Sequence, residues 1–205
     1  MKILISAGPT REFIDPVRFI TNSSSGQMGY ALAAAALRRG HEVILVSGPV
    51  SIPVPEGAAV VNVVTAAEMA EAVKSRFPDC GCCIMSAAVA DYRPAHIHDQ
   101  KMKKTPGNML LELERTEDIL KALGSAKKSG QLLVGFAAES ENLLENAAGK
   151  LARKNLDWIV ANKLADGFAK ATNACVLLGK GGEKITFDTR PKTDLAEALL
   201  DAIGL

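Results

Sequence analysis

The chain has 205 residues, enough for one well-cored domain and short for two. Hydrophobic residues make up 48% and charged residues 23%, the usage of an ordinary globular protein, which excludes global disorder and fibrous repeats. Lys and Arg total 24 against 23 for Asp and Glu, a net charge of +1 that gives no long-range field for nucleic acid or an anionic membrane; any anion site must be local.

The chain opens on a short Ile-rich apolar run at 2–6, ended by Ala7-Gly8-Pro9, which reads as a buried strand. It is too short for the core of a signal peptide or for a membrane span. Pro9 to Ser25 reads as irregular and long for a strand-to-helix loop, which marks it as functional. Residues 27–39, with Tyr30-Ala31-Leu32-Ala33-Ala34-Ala35-Ala36-Leu37, are strongly helical and stop at Gly40; 41–46 then supply a second strand. The alternation continues with strands near 59–64, 82–87, 131–136 and 157–161, and helices near 66–76, 116–127 and 140–154. Two further strand-like runs, 174–178 and 184–187, flank Gly179-Lys180-Gly181-Gly182 as an edge hairpin, and a last helix follows Pro191. This order predicts an α/β fold: a mostly parallel sheet, helices on both faces, one domain over 1–205.

Residues 88–115 break the alternation. Ala90-Asp91-Tyr92-Arg93-Pro94 leads into a polar segment with His96, His98, Lys101, Lys103 and Lys104, ending in the alternating run 109–114. Such an insertion should leave the carboxyl edge of the sheet, where open α/β folds bind ligands, and it reads as an active-site arm.

Several groups are candidates for chemistry. Asn22-Ser23-Ser24-Ser25-Gly26 precedes a helix, so its side chains and the first free N–H groups can converge on a phosphate or carboxylate; a simple helix cap is the plainer alternative. Lys101-Met102-Lys103-Lys104 is, by spacing alone, a solvated charge run, although a mobile lysine near Asp91 could neutralise a departing polyphosphate. Lys150 and Lys154 share one helix face and could reach a triphosphate, with helical ion pairs to Glu141 and Glu145 as the rival explanation. Cys80, Cys82, Cys83 and Cys175 lack the spacing of a disulfide framework or zinc site, and they read as buried thiols in a reducing cytoplasm. Trp158 reads as core.

Taken together, Gly8-Pro9-Thr10-Arg11-Glu12, Ile14-Asp15-Pro16-Val17-Arg18, Thr21 to Gly26, Ser86-Ala87-Ala88-Val89-Ala90-Asp91-Tyr92, the lysine run and Val134-Gly135-Phe136-Ala137-Ala138-Glu139 are in order and spacing similar to phosphopantothenoylcysteine synthetase. The likeness covers nearly the whole chain and is strongest to the bacterial domain usually fused behind a flavin-dependent decarboxylase; the chain is expected to be a stand-alone synthetase or an excised domain. The resemblance implies a Rossmann-like, three-layer, doubly wound sheet. It also implies a reaction in which 4′-phosphopantothenate, L-cysteine and CTP give 4′-phosphopantothenoylcysteine, CMP and pyrophosphate through an acyl-cytidylate, with Mg²⁺ or Mn²⁺.

Position by position, the resemblance assigns nucleotide contacts to Met85, Ser86, Ala87, Asp91, Lys101, Thr116, Glu117, Asp118, Ile119, Phe136, Lys150 and Lys154. It assigns the acyl group to Asn22, the substrate to Asn22, Ser24, Ser25 and Gly26, turnover to Asn22 and Lys101, and the cation to Asp91. Thr116-Glu117-Asp118-Ile119 departs from the family's Asn-Pro-Asp-Ile at its first two positions. The family further implies a homodimer in which the arm of one subunit covers the site of the other, while the cysteine usage points to the cytoplasm and the balanced charge to no nucleic-acid or membrane partner. Two other readings are weaker. A nicotinamide-dependent reductase would need Tyr-x-x-x-Lys, but Tyr92 is followed by His96 and Tyr30 by Ala34. A non-catalytic nucleotide sensor would not require Asn22, Asp91 and Lys101 together.

Overall fold

A computed structural model describes residues 1–104, 106–163 and 170–205. In chain order the elements are β1 (Lys2–Ala7), β2 (Arg11–Phe13), β3 (Phe19–Thr21), α1 (Gln27–Arg38), β4 (Glu42–Ser47), β5 (Ala59–Asn62), α2 (Ala66–Arg76), β6 (Cys82–Met85), β7 (Tyr92–Pro94) and β8 (Leu113–Arg115). They continue with α3 (Ile119–Ala126), β9 (Leu132–Glu139), α4 (Leu143–Arg153), β10 (Trp158–Lys163), β11 (Thr172–Gly179), β12 (Lys184–Pro191) and α5 (Lys192–Ala202). Eight strands form one sheet in the order β12-β11-β10-β9-β6-β1-β4-β5. The six from β5 to β10 run parallel, and β11 and β12 add an antiparallel edge.

The strand alternation sorts side chains between two cores. Ile3, Ile5, Cys82 and Ile84 face α1 and α5, while Leu4, Cys83 and Met85 face α2, α3 and α4. The Cys82-Cys83 pair is therefore split across the sheet, and burial raises both thiols, Cys82 to about 12. Trp158 is only partly buried and packs against the α1/α5 core. Helices on both faces of a mostly parallel sheet make the doubly wound arrangement the sequence predicts.

Boundaries differ where side chains override periodicity. The 9–25 stretch contains the hairpin β2–β3, in which Arg11 lies over the Phe19 ring and Phe13 meets Phe19 edge-on. Helix α3 begins at Ile119 because Asp118 accepts from Lys121 N and caps it. In the run 109–114 only Leu113 and Glu114 belong to a strand, pairing with β7.

At the amino-terminal end of β10, buried Asp157 is an organising group. It accepts from Leu133 N at 2.8 Å, Lys127 Nζ at 2.9 Å and Lys180 Nζ at 2.5 Å, tying three elements together. Burial opposes its ionisation, but the two ammonium groups outweigh burial and hold the carboxyl below the usual value of 3.8. Because the folded protein binds this proton more weakly than the unfolded chain, the contribution is complete above the unfolded value and is lost as pH falls through the folded one. Asp157→Asn should lower unfolding free energy by about 1.5–3 kcal/mol at neutral pH, the range for charge-assisted hydrogen bonds. Urea titrations between pH 7 and 2.5 should show the deficit shrinking below about pH 4.

Candidate functional site

The crossover direction reverses between β1 and β6: the chain leaves β1 for α1 on one face, whereas β6 is reached from α2 and followed by α3 on the other. Open α/β folds hold ligands beyond the carboxyl ends of strands at such a point. Two cavities, about 330 Å³ and 490 Å³, lie there and share Ala87, Val89, Asp91, Phe136 and Lys150.

The first cavity is floored by the amino end of α1. Gly26 is the residue before the helix, with φ of 78°, and no side chain caps the turn. Ser24 Oγ instead accepts from Gly26 N at 3.3 Å. The plain cap reading therefore fails for Ser24 and Ser25, and the free N–H groups of α1 are available to an anion, with no acidic residue in the first turn to compete. Gly29 lets this end approach the sheet, since a Cβ there would lie 2.5 Å from Ala7 Cβ. Asn22 closes the rim: its Nδ2 donates to Ala88 O and Val89 O, both at 3.1 Å, and locks the loop after β6.

The second cavity runs from Met85 and Ile159 to the segment Thr116–Leu120, with Lys154. Thr116 Oγ1 donates to Ala90 O at 2.6 Å, so its hydroxyl holds the chain turn together. Glu117 is drawn towards α2 by Lys74 at 2.6 Å. Lys150 pairs with Glu139 at 2.6 Å and Lys154 with Asp118 at 2.9 Å, so the acids expected from helix spacing, Glu141 and Glu145, are not the partners. Burial raises the Asp118 proton affinity, yet Lys154 and the Lys121 N–H prevail and hold the carboxyl below its usual range.

Every residue to which the family resemblance assigns a contact lines one of these cavities except Lys101, which is exposed and lines neither in its own chain; Ser23, His96, His98, Lys103 and Lys104 also line neither. What fixes the neighbourhood of Lys101 is Asp15, whose role spacing does not reveal. Its buried carboxylate accepts from Val17 N, Arg18 N, Arg18 Nε and Nη2, and Met102 N, while Arg18 Nη2 also donates to Met102 O. The Arg18 guanidinium holds Asp15 far below the ordinary carboxylate range. Asn162, Asn173 and Lys192 also line the first cavity and carry no sequence signal, because they come from separate strands and a helix start.

Among the described residues no group of three or more His, Cys, Asp and Glu could hold a metal by itself. Asp91, on the shared wall, offers one carboxylate, which fits a cation held mainly by substrate phosphates and water. Asp15→Asn should release the arm at Met102: amide exchange over 98–104 should quicken by roughly tenfold or more while β1 and β6 stay protected.

The family described as DNA/pantothenate metabolism flavoprotein C-terminal domain matches residues 1–204. Coenzyme A biosynthesis bifunctional protein CoaBC of Bacillus subtilis (strain 168) is 50% identical over 206 residues, covering 98% of this chain and 50% of that protein. A protein of an unknown prokaryotic organism named cysteine/cysteine sulfinic acid decarboxylase is 46% identical over 98% of this chain and 57% of its own length. The chain thus spans about half the length of these curated relatives. The crystal structure of the C-terminal domain of a CoaBC protein superposes with a TM-score of 0.86 at 46% identity, covering 98% of this chain and 93% of that one. The match over residues 1–204, with relatives 46–50% identical over nearly all of the chain and a shared sheet, places the chain in the family of the DNA/pantothenate metabolism flavoprotein C-terminal domain.

Proposed function

We propose that this chain is the ligase that joins 4′-phosphopantothenate to L-cysteine at the expense of CTP. The observation that carries the reading is the shared wall: Asp91, Phe136 and Lys150 border both cavities, so a nucleotide in one and an acid in the other meet there. CoaBC relatives are named for coenzyme A biosynthesis, and this chain corresponds to half of such a bifunctional protein.

The chemistry follows from the weakness of a carboxylate as an electrophile. A carboxylate oxygen attacks the α-phosphorus of CTP, the bond to pyrophosphate breaks, and an acyl-cytidylate forms. The cysteine amine then attacks the acyl carbon, loses a proton and displaces CMP. Met85, Ser86 and Ala87 border the base through backbone groups, with Asp118 and Ile119 beyond them. Lys150 and Lys154 meet the triphosphate by exchanging their carboxylate partners for phosphate. The α1 end with Ser24, Ser25 and Gly26 binds substrate, and Asn22 holds the acyl end against the 88–89 loop. Mg²⁺ or Mn²⁺, when bound at Asp91, supplies charge neutralisation for the phosphates. Lys101 completes the site from the arm of a second copy, which is consistent with its place outside its own cavities. The apolar tip of the arm, with Leu110 at 94% exposure and Ile97 at 63%, favours such a contact. No helix of the described residues is long and apolar enough to cross a membrane.

Incubation with 4′-phosphopantothenate, cysteine, Mg²⁺ and CTP or ATP, followed by mass detection, should show CMP release that depends on phosphopantothenate. Nucleotide binding without turnover would leave the sensor, and carbon dioxide from cysteine alone would favour a decarboxylase. Lys150→Ala should weaken nucleotide binding by about 1.5–3 kcal/mol in calorimetric titration; unchanged affinity would return Lys150 to a structural pair with Glu139. Lys101→Gln should abolish turnover with an unchanged melt. Mixed with inactive Asp91→Asn protein it should recover about a quarter of activity if the arm acts across a two-fold dimer.

A further inference from the structure

Arg115 ends the returning strand of the arm's stem and borders the second cavity, and nothing in the reaction above uses it. The neck of the stem is closed by Thr116 N on Asp91 O at 3.0 Å and by the Thr116 hydroxyl on Ala90 O. Beside it Tyr92 and Arg115 stand opposite each other in register, so they share a face of the hairpin, and both line the cavity with Asp91. The other cations of that cavity are neutralised, Lys150 by Glu139 and Lys154 by Asp118. The acids nearest Arg115 along the chain are also taken, Glu114 by Arg93 and Glu117 by Lys74. Arg115 is therefore the one cation lining this cavity without a side-chain partner among the described residues, and Asp91 is the matching unpaired acid. A base and an acid that border one opening without neutralising each other suit a ligand of both signs, a polyphosphate with its divalent cation.

We propose that Arg115 is a further residue of this reaction, one that receives the pyrophosphate as it leaves and ties nucleotide binding to the placement of the arm; the inference rests on the function proposed above. As the carboxylate oxygen bonds to the α-phosphorus, the electron pair of the breaking P–O bond passes to the bridging oxygen of the pyrophosphate, and no proton moves in this step. A guanidinium offers paired N–H donors to such oxygens, and a charge fixed where negative charge grows stabilises the transition state more than the ground state. Chain position adds the second consequence. Asp91 precedes the outgoing strand of the stem and Arg115 ends the returning one, so a nucleotide engaged at both spans the neck and fixes the direction in which the arm departs. Lys101 lies on the segment between those strands. Arg115 thereby acts on turnover twice, at the leaving group and through the reach of Lys101. The plain alternative is a solvated arginine, since Arg115 is exposed.

Arg115→Gln and Arg115→Lys proteins, with far-UV circular dichroism and melts to establish folding, separate the two. In equilibrium titrations with Mg²⁺, Arg115→Gln should lose roughly tenfold or more in affinity for CTP and for inorganic pyrophosphate and about twofold or less for CMP, with Arg115→Lys regaining part of the loss. At saturating CTP, single-turnover formation of the acyl-cytidylate should also slow by roughly tenfold, a deficit that weaker binding alone does not give. Amide exchange over 98–104 should slow when CTP is added to wild type and stay fast in saturated Arg115→Gln. A folded Arg115→Gln protein that binds CTP and pyrophosphate as wild type does, or that loses CTP and CMP alike, overturns the phosphate contact; equal slowing of exchange in both proteins overturns the tie to the arm. Wild type that binds pyrophosphate through Arg115 yet forms no acyl-cytidylate refutes the ligase reading and leaves the contact standing.

Discussion

The structure depends on the reversal of crossover direction between β1 and β6. Parallel strands need crossovers that cover one face or the other, and where neighbouring strands choose opposite faces the loops part above the sheet. Gly29 sharpens this by letting α1 settle on Ala7, which brings the helix N-terminus down to the strand ends. The Thr10 hydroxyl, accepting from Ala90 N at 3.0 Å, and Asn22, donating across to Ala88 and Val89, then hold the two sides of the opening at a fixed width. The cavities are what this arrangement leaves unfilled.

Electrostatically, the opening is a set of paired charges held ready rather than a bare positive patch. Lys150 rests on Glu139 and Lys154 on Asp118, which matches the near-neutral chain and avoids the cost of isolated lysines packed together. Ion pairs that are partly exposed are weak, so an anion reaching these lysines displaces the carboxylates without a large penalty. The Asp15–Arg18 pair is of another kind: its carboxylate is fully buried, multiply hydrogen-bonded and closed around Met102, with only the guanidinium partly exposed. It fixes where the lysine run leaves the body of the protein, so order in the arm begins at a residue far away in sequence.

A match to half of a bifunctional relative suits this organisation. The described sheet, its two cores and the linings of both cavities all come from this chain. The arm differs. Its stem is a short hairpin joined by Arg93 and Glu114, and its apolar tip faces outward.

From residues alone, most of the fold and most of the residues that line the two cavities beside Asp91 are legible. The Ile- and Val-rich runs, the alanine helix closed by Gly40 and the edge hairpin around Gly179 to Gly182 follow from periodicity and turn chemistry, which are local. The serine loop before a helix and the two lysines on one helix face follow from local spacing, whereas Phe136 is singled out only by the family resemblance. What only the tertiary structure decided is which groups face one another. The β2–β3 hairpin is held by Arg11 and Phe13 on Phe19, and α3 starts at a cap that doubles as the partner of Lys154. Lys150 takes Glu139 on a strand in preference to acids on its own helix, and Asn173 and Lys192 reach the first cavity only because β11, β12 and α5 fold back on β10. The physical reason is one of range: backbone preference acts over a few residues, whereas burial and charge pairing act through space between segments that sequence separates.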